Sequence, residues 1–405
     1  MDPPVQRLLA AADRWGTPLY ITDLDLVARH LAAYAGAFPG ALIAYAVKAN
    51  PDPQLLRRLA REGAGAEVVT AVELALATRA GIPGKRIVMN GVGKRDEEIH
   101  LALAAGALVN AESLEELHAL LRLAADHPGA RIGLRLNPGL AADTHPHLAT
   151  GALGSKFGIA LEDLPLALGA IRTAGAALHA LGAHIGSAIE SADAFSTLAA
   201  RLADAAEAAE AFGLPPVRID LGGGLREPDA GSLVAAVTSH FPDPARLILE
   251  PGRSLVADAG WLVTRVVRVQ PRPATATTFL VADAGMNDLI RPVLYGAVHP
   301  VSLVAPGQPL PEGHGTVHLA GPVCEAGDVL ARDLAQWIAP DDLRRAGSGA
   351  LLAIGQAGAY GAAMASVYNG RLRPAEAVLE DGALRLSRRR ETLDDLIARD
   401  EPPER

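Results

Sequence analysis

Residues 42–69 read LIAYAVKANPDPQLLRRLAREGAGAEVV, and the reading of this stretch decides the fold. Ile43–Val47 is a short apolar run of strand length. PQLLRRLAREG has helical spacing and ends in a glycine, and Ala66–Val69 opens a second apolar run. Strand, helix, strand is the unit from which parallel sheets are built, because a parallel crossover needs a connection of helix length. One residue does not suit this unit. Lys48 ends a run that reads as buried strand, where an ammonium is costly to desolvate.

The unit repeats along the chain. Apolar runs recur at Arg86–Met89, Ala107–Val109, Arg131–Leu136, Ala180–Ile185, Val217–Leu221 and Leu247–Leu249, eight in all with the first two. Most of the gaps hold helical patterns such as AVELALATRAG, RDEEIHLALAAG and SLEELHALLRLAA. An α/β fold follows, and eight units suggest a closed (β/α)8 barrel of the TIM type; an open doubly wound sheet can be built from the same units. After about Val256 the pattern changes to short β-rich runs separated by Pro and Gly. AEAVLEDGALRLS sets Asp381-Gly382 between two alternating runs, a hairpin signature. The expected organisation is a barrel over 25–257 and a separate C-terminal β domain, barrel- or sandwich-like, over 1–24 plus 258–405, joined by the strand TPLYITD. The tail is expected to hold a short helix and a frayed end.

The 405 residues include 46 acidic and 37 basic side chains, for a net charge of −9. That balance favours neither nucleic acid nor an anionic membrane surface as a partner. The single cysteine, Cys324, excludes an internal disulfide framework and a cysteine-rich metal site, which fits a reducing cytoplasmic setting. The N-terminal residues lack a signal-peptide pattern, and there is no apolar run of spanning length.

In a barrel, the residues at the carboxyl ends of the strands build the active site. Lys48 follows the first strand, and His184, Gly222–Gly224 and Glu250 end the last three. Each has an ordinary reading alone: a solvated charge, a hydrogen-bonded core histidine, a tight turn, a surface ion pair. Together they supply an amine nucleophile, a flat imidazole, a backbone-only anion cradle and a carboxylate. Pyridoxal phosphate needs that set: a neutral amine to attack its aldehyde, side-chain-free backbone N–H groups for its phosphate, and a carboxylate to keep its ring nitrogen protonated. In NDLIRPVLY, a tyrosine four residues after Arg291 and a proline directly after it suggest a fixed guanidinium fork beside a phenol, suited to a carboxylate.

These strings carry a resemblance. YAVKAN, RLNPGLAADTHPHLATGALGSKFGI, HIGS, IDLGGGL, EPGRSLV, VADAGMNDLIRPVLYGAVHP, GPVCEAGDVLA and GAYGAAMASVYNGRLRP stand in order over more than three hundred residues. The chain resembles the fold-type III pyridoxal phosphate-dependent decarboxylases, and among them the diaminopimelate decarboxylases. The resemblance implies a carboxy-lyase of lysine biosynthesis that converts meso-2,6-diaminopimelate to L-lysine and carbon dioxide. It implies a homodimer with shared active sites, completed by the β domain. Carried over residue by residue, Lys48 bonds to the cofactor aldehyde and His184 stacks on the ring. Ser187, Gly222, Gly223, Gly224 and Tyr360 serve the phosphate, and Glu250 the pyridine nitrogen. Arg253, Arg291 and Tyr295 match positions for the distal carboxylate of the substrate. Cys324 and Glu325 match a pair supplied by the partner subunit, the cysteine near the reacting centre and the glutamate on the distal ammonium.

Some positions depart from the pattern. Glu67, Thr70, Ala71 and Val72 stand where an aspartate, a serine and paired glycines are expected, and Ala188 stands for a glutamine. They bear on the exact substrate. A decarboxylase for ornithine, arginine or a siderophore precursor would keep the cofactor residues with less use for the arginine fork. A racemase would lack CEAGD and GAYG, and a non-catalytic carrier of the cofactor would have no use for the last third. A metal-dependent hydrolase would rest on His145 and His147 alone, without a carboxylate set, so no metal is expected.

Overall fold

The computed structural model describes residues 4–140, 151, 154–186, 193–224 and 231–400. The chain divides into two compact units, one of Val27–Leu255 and one of Met1–Leu26 with Val256–Arg405.

The first strand, β1 (Leu19–Asp23), belongs to the second unit. The first unit is a closed ring of eight parallel strands: β2 (Leu42–Ala46), β3 (Gly65–Val68), β4 (Ile87–Met89), β5 (Leu108–Ala111), β6 (Arg131–Asn137), then, after the two-residue β7 (Ile159–Ala160) that pairs only with β6, β8 (Leu178–Ala183), β9 (Arg218–Asp220) and β10 (Leu247–Leu249). β10 pairs with β2, and the β5–β6 pairing completes the ring. This is the closed barrel rather than the open sheet. Every expected strand is present, with ends displaced by two residues at most.

Local chemistry explains each unit. β2 is buried along its whole length. The helix Pro53–Arg61 starts because the Asp52 carboxylate accepts the N–H groups of Gln54 and Leu55 and because proline suits a first helical position. It turns Leu55, Leu56 and Leu59 inward. β3 then opens on Gly65, where a Cβ would lie 2.3 Å from the Arg86 carbonyl oxygen and 2.7 Å from Leu42 Cδ1, so only glycine lets the strands approach. Leu42, Ala44, Val88, Leu108, Ala180 and Ile248 form one buried apolar cluster inside the ring.

The second unit is a nine-stranded sheet system. β1 lies between β11 (Gly260–Arg272), to which it is antiparallel, and β17 (Ala375–Glu380), to which it is parallel. β11 is long enough to serve two neighbourhoods: its first half pairs with β1 and with β16 (Leu351–Ile354), and its second half with β12 (Thr277–Ala282) across an irregularity at Val266/Arg268. Alternation divides the side chains between two cores. Leu19, Ile21, Trp261, Val263, Leu351 and Ala353 enter one, and Tyr20, Leu262, Leu352 and Ile354 enter the other. The first of these cores is also lined by Leu8, Ala11 and Ala12 of the helix Val5–Trp15, an element absent from the sequence-based expectation. The hairpin of β17 and β18 (Ala383–Arg388) turns at Asp381 and Gly382, both at positive φ (49° and 73°), as the Asp-Gly pair requires. The tail helix is Leu393–Ile397.

Leu108→Ala tests the barrel floor. Truncating a fully buried leucine removes about 2–5 kcal/mol, so urea unfolding should show a lower midpoint with an unchanged slope.

Candidate active site

Lys48 sits in the turn Val47–Ala49 that directly follows β2. Ala46, two residues before it, is in register with Glu67 of β3, and the Lys48 ammonium donates to Glu67 Oε2 at 2.6 Å. The Glu67 side chain is only 1% exposed whereas that of Lys48 is 38% exposed, so the amine reaches solvent from a buried carboxylate.

Glu67 belongs to a hydrogen-bonded chain. Asn90, immediately after β4, donates through Nδ2 to Glu67 Oε1 at 3.3 Å and to Glu250 Oε1 at 2.7 Å. Asn110 of β5 donates to Asn90 Oδ1 at 2.9 Å. Glu250 is in turn hydrogen-bonded to Asp220, whose Oδ1 accepts the Gly222 N–H at 2.9 Å. Burial raises both acids of the Asp220–Glu250 pair, and the neighbouring carboxylates raise Glu250 further; Asp220 lies at about 6 and Glu250 well above the usual carboxylate range. The pair therefore holds a proton between two oxygens near neutral pH.

Gly222–Gly224 follow β9 directly. Gly222 and Gly224 have positive φ, 64° and 111°. A Cβ on Gly223 would lie 2.1 Å from the Glu250 carbonyl oxygen, and one on Gly222 would lie 2.8 Å from the Ala183 carbonyl oxygen. Glycine is therefore required at both positions for the turn to lie against its neighbours, and a turn without side chains can offer backbone N–H groups to an anion. His184 is half-buried beside this turn and accepts the Gly186 N–H at Nδ1, 3.1 Å away. Burial, then the positive charges of Arg135 and Lys48, push it well below the usual imidazole range, so the ring is neutral. Ser187, Ala188, His145 and His147 lie outside the described residues. The cradle, the amine beside a carboxylate, the flat neutral ring and the buried acid pair fit pyridoxal phosphate. A cavity of about 460 Å³ is lined by Glu112, which follows β5, by Asn137 at the end of β6, and by Ser155, Lys156 and Arg201.

Arg253 opens the short helix Arg253–Val256 and is half-buried. In the second unit, the buried Arg291 guanidinium lies 5.3 Å from the Tyr295 ring centre and 5.6 Å from that of Tyr360, the fork-beside-phenol geometry that the spacing suggests. Tyr360 has a φ of 57°, rare for a bulky residue. Cys324 and Glu325 are exposed. The Cys324 N–H donates to Asn369 Oδ1 at 2.8 Å, and the Tyr368 hydroxyl donates to Glu325 Oε2 at 2.9 Å.

Comparison with known proteins agrees with this chemistry. Residues 24–257 match the family described as pyridoxal-dependent decarboxylase, pyridoxal binding domain. A diaminopimelate decarboxylase of Deinococcus radiodurans is 41% identical over 390 residues, 96% of this chain and 97% of that protein. The chain belongs to the diaminopimelate decarboxylase family. Its cofactor is pyridoxal phosphate, and it is a carboxy-lyase by descent. Solved structures of family members agree: the Helicobacter pylori I148L enzyme complexed with L-lysine superposes with a TM-score of 0.86 at 33% identity, covering 94% of this chain and 96% of that one. The M. jannaschii enzyme in co-complex with L-lysine also gives 0.86 at 33%, covering 98% and 94%. Among the described residues no helix is long and apolar enough to cross a membrane, and no group of three or more His, Cys, Asp or Glu could hold a metal ion.

The departures from the family pattern have local accounts. Thr70 caps the helix Ala71–Arg79 by accepting the Glu73 N–H, and Glu73 accepts the Val69 N–H in return. Ala71 and Val72 occupy the first turn of that helix, where no glycine is required. The Glu67 carboxylate accepts from both Lys48 and Asn90, one at each oxygen. Sequence reasoning passed over Asn90, Asn110 and Asp220, although each is a polar residue in or just after an apolar barrel run, the same signal that singled out Lys48.

Asp220 makes stability depend on pH with a definite sign. Its folded pKa, about 6, exceeds the ordinary 3.8. The folded state therefore keeps the proton to higher pH than the unfolded chain, and this contribution is present at low pH and lost as pH rises through 6. Between pH 5 and 7 the cofactor-free protein should lose about 1 kcal/mol from this group. Asp220→Asn should flatten that fall in urea unfolding at the two pH values; an unaltered fall would assign the proton elsewhere.

Proposed function

We propose that this chain decarboxylates meso-2,6-diaminopimelate to L-lysine and carbon dioxide, as a cytoplasmic homodimer. The observation that carries the reading is the Lys48 amine held on a buried carboxylate in the same barrel as the glycine cradle and the Asp220–Glu250 pair. When bound, pyridoxal phosphate supplies an aldehyde for amines and a protonated ring that accepts the electron pair left by carbon dioxide.

The chain's own residues do the rest. Glu67 Oε2 takes a proton from the Lys48 ammonium, so that the amine is free to attack. His184, neutral and flat, packs against the ring without adding a charge beside its electron sink. The glycine turn Gly222–Gly224 holds the phosphate with Ser187 and Tyr360, through the N–H groups of Gly223 and Gly224, since that of Gly222 is given to Asp220 Oδ1. Glu250 holds the ring nitrogen's proton. Arg253, Arg291 and Tyr295 bind the distal carboxylate of the substrate, a bidentate partner for a guanidinium fork that ornithine or lysine does not offer. Glu325 of one protomer reads the distal ammonium in the site of its partner, with Cys324 beside the reacting centre.

Carbon dioxide release is the direct test, with meso-diaminopimelate, ornithine, lysine and arginine given in parallel to the cofactor-loaded protein. Release from meso-diaminopimelate alone, with lysine accumulating, is expected; release from another amino acid would overturn the substrate. Lys48→Ala should abolish turnover together with the visible absorbance of lysine-bound cofactor. Mixing inactive Lys48→Ala and Glu325→Ala chains should restore activity in hybrid dimers. No recovery after confirmed subunit exchange would show that Glu325 acts within its own protomer.

A further inference from the structure

Asn90 stands between the two carboxylates on which the proposed function depends, and this inference rests on that reading. It is 3% exposed. Its Nδ2 group has two hydrogens and two acceptors, Glu250 Oε1 at 2.7 Å and Glu67 Oε1 at 3.3 Å. An amide reversed end for end would set its oxygen against two carboxylates. Asn110 opposes that reversal, because its own Nδ2 donates at 2.9 Å to the Asn90 oxygen and would meet N–H groups if the Asn90 amide alone turned over. Room for Asn110 comes from β6: a Cβ on Gly133 would lie 2.0 Å from Asn110 Oδ1.

We propose that Asn90, locked by Asn110, is a positioning residue that holds Glu250 toward the ring nitrogen of the cofactor and Glu67 toward Lys48, keeping the two carboxylates on separate tasks. It touches neither the amine nor the reacting atoms and acts through the two acids. The charged groups acting on Glu250 are Asp220, Glu67 and Lys48, with Arg135 acting on Asp220. Burial, Asp220 and Glu67 all favour a protonated Glu250, which cannot accept the ring N–H. Asn90 is the neutral donor that opposes them, since a hydrogen bond given to a carboxylate favours its ionised form.

Cofactor affinity, read from fluorescence quenching and visible absorbance across pH 6–9, tests this without turnover. Asn90→Ala should weaken pyridoxal phosphate binding about ten-fold at neutral pH, the equivalent of one hydrogen bond to a charged group. The loss should deepen as pH falls, because Glu250 then keeps its proton. Asn110→Ala, which leaves Asn90 in place but free to turn over, should give a smaller loss with the same pH trend, and it carries the test if Asn90→Ala does not fold. A packing role alone would lower the melting temperature and leave the pH dependence of binding as in wild type, which would overturn the proposal. Failure of the wild-type protein to take up the cofactor at Lys48 would instead overturn the proposed function, and this inference with it.

Discussion

A lysine in the turn after one strand and a buried carboxylate on the adjacent parallel strand are the constraint on which the site depends. The register that pairs Ala46 with Glu67 brings Lys48 Nζ to 2.6 Å from Glu67 Oε2. Once one carboxylate is buried inside a barrel, its remaining lone pairs need donors, and the ring supplies them in sequence: Asn90, then Asn110, with Glu250 and Asp220 sharing a proton. An unpaired buried polar atom is costly, and Asn110 Oδ1 is one, so the bonds the network does make are mutually required. The apolar cluster of Leu42, Ala44, Val88, Leu108, Ala180 and Ile248 gives the same ring its hydrophobic filling.

The two units, each taken by itself, differ in electrostatic character. In the barrel, burial raises the acids Asp220 and Glu250 and lowers His184, so each is pushed toward its neutral form. In the second unit, Arg291 remains a cation with two phenol rings about it. The first environment suits a delocalised ring and the second a localised carboxylate.

Much of this was legible in sequence where the determinant is local. Ile43–Val47 and Leu247–Leu249 announce themselves as strands because every side chain is buried, and Asp381-Gly382 because both residues must take positive φ. Arg291 and Tyr295 are one helical turn apart, so their contact follows from spacing. Asn90, Asn110 and Glu250 could not be joined that way, since 160 positions separate the last donor from its acceptor and only closure of the ring brings them together. The helix Val5–Trp15 was missed because its apolar face acquires meaning only against strands far along the chain, Trp261 and Leu351 among them. Glu67 read as a departure; its carboxylate accepts from Lys48 at one oxygen and from Asn90 at the other.

The pairing of β1 has a consequence for the order of biosynthesis. Both of its neighbours, β11 and β17, lie beyond the whole barrel in sequence, so the barrel is an insertion within the second unit. On the ribosome β1 emerges first and waits, unpaired, while every barrel strand is made and closed; it finds β11 only after residue 260 and β17 only after residue 375. The barrel can fold as it is translated, whereas the second unit can be completed only near the end of synthesis, when the first strand made is claimed by nearly the last.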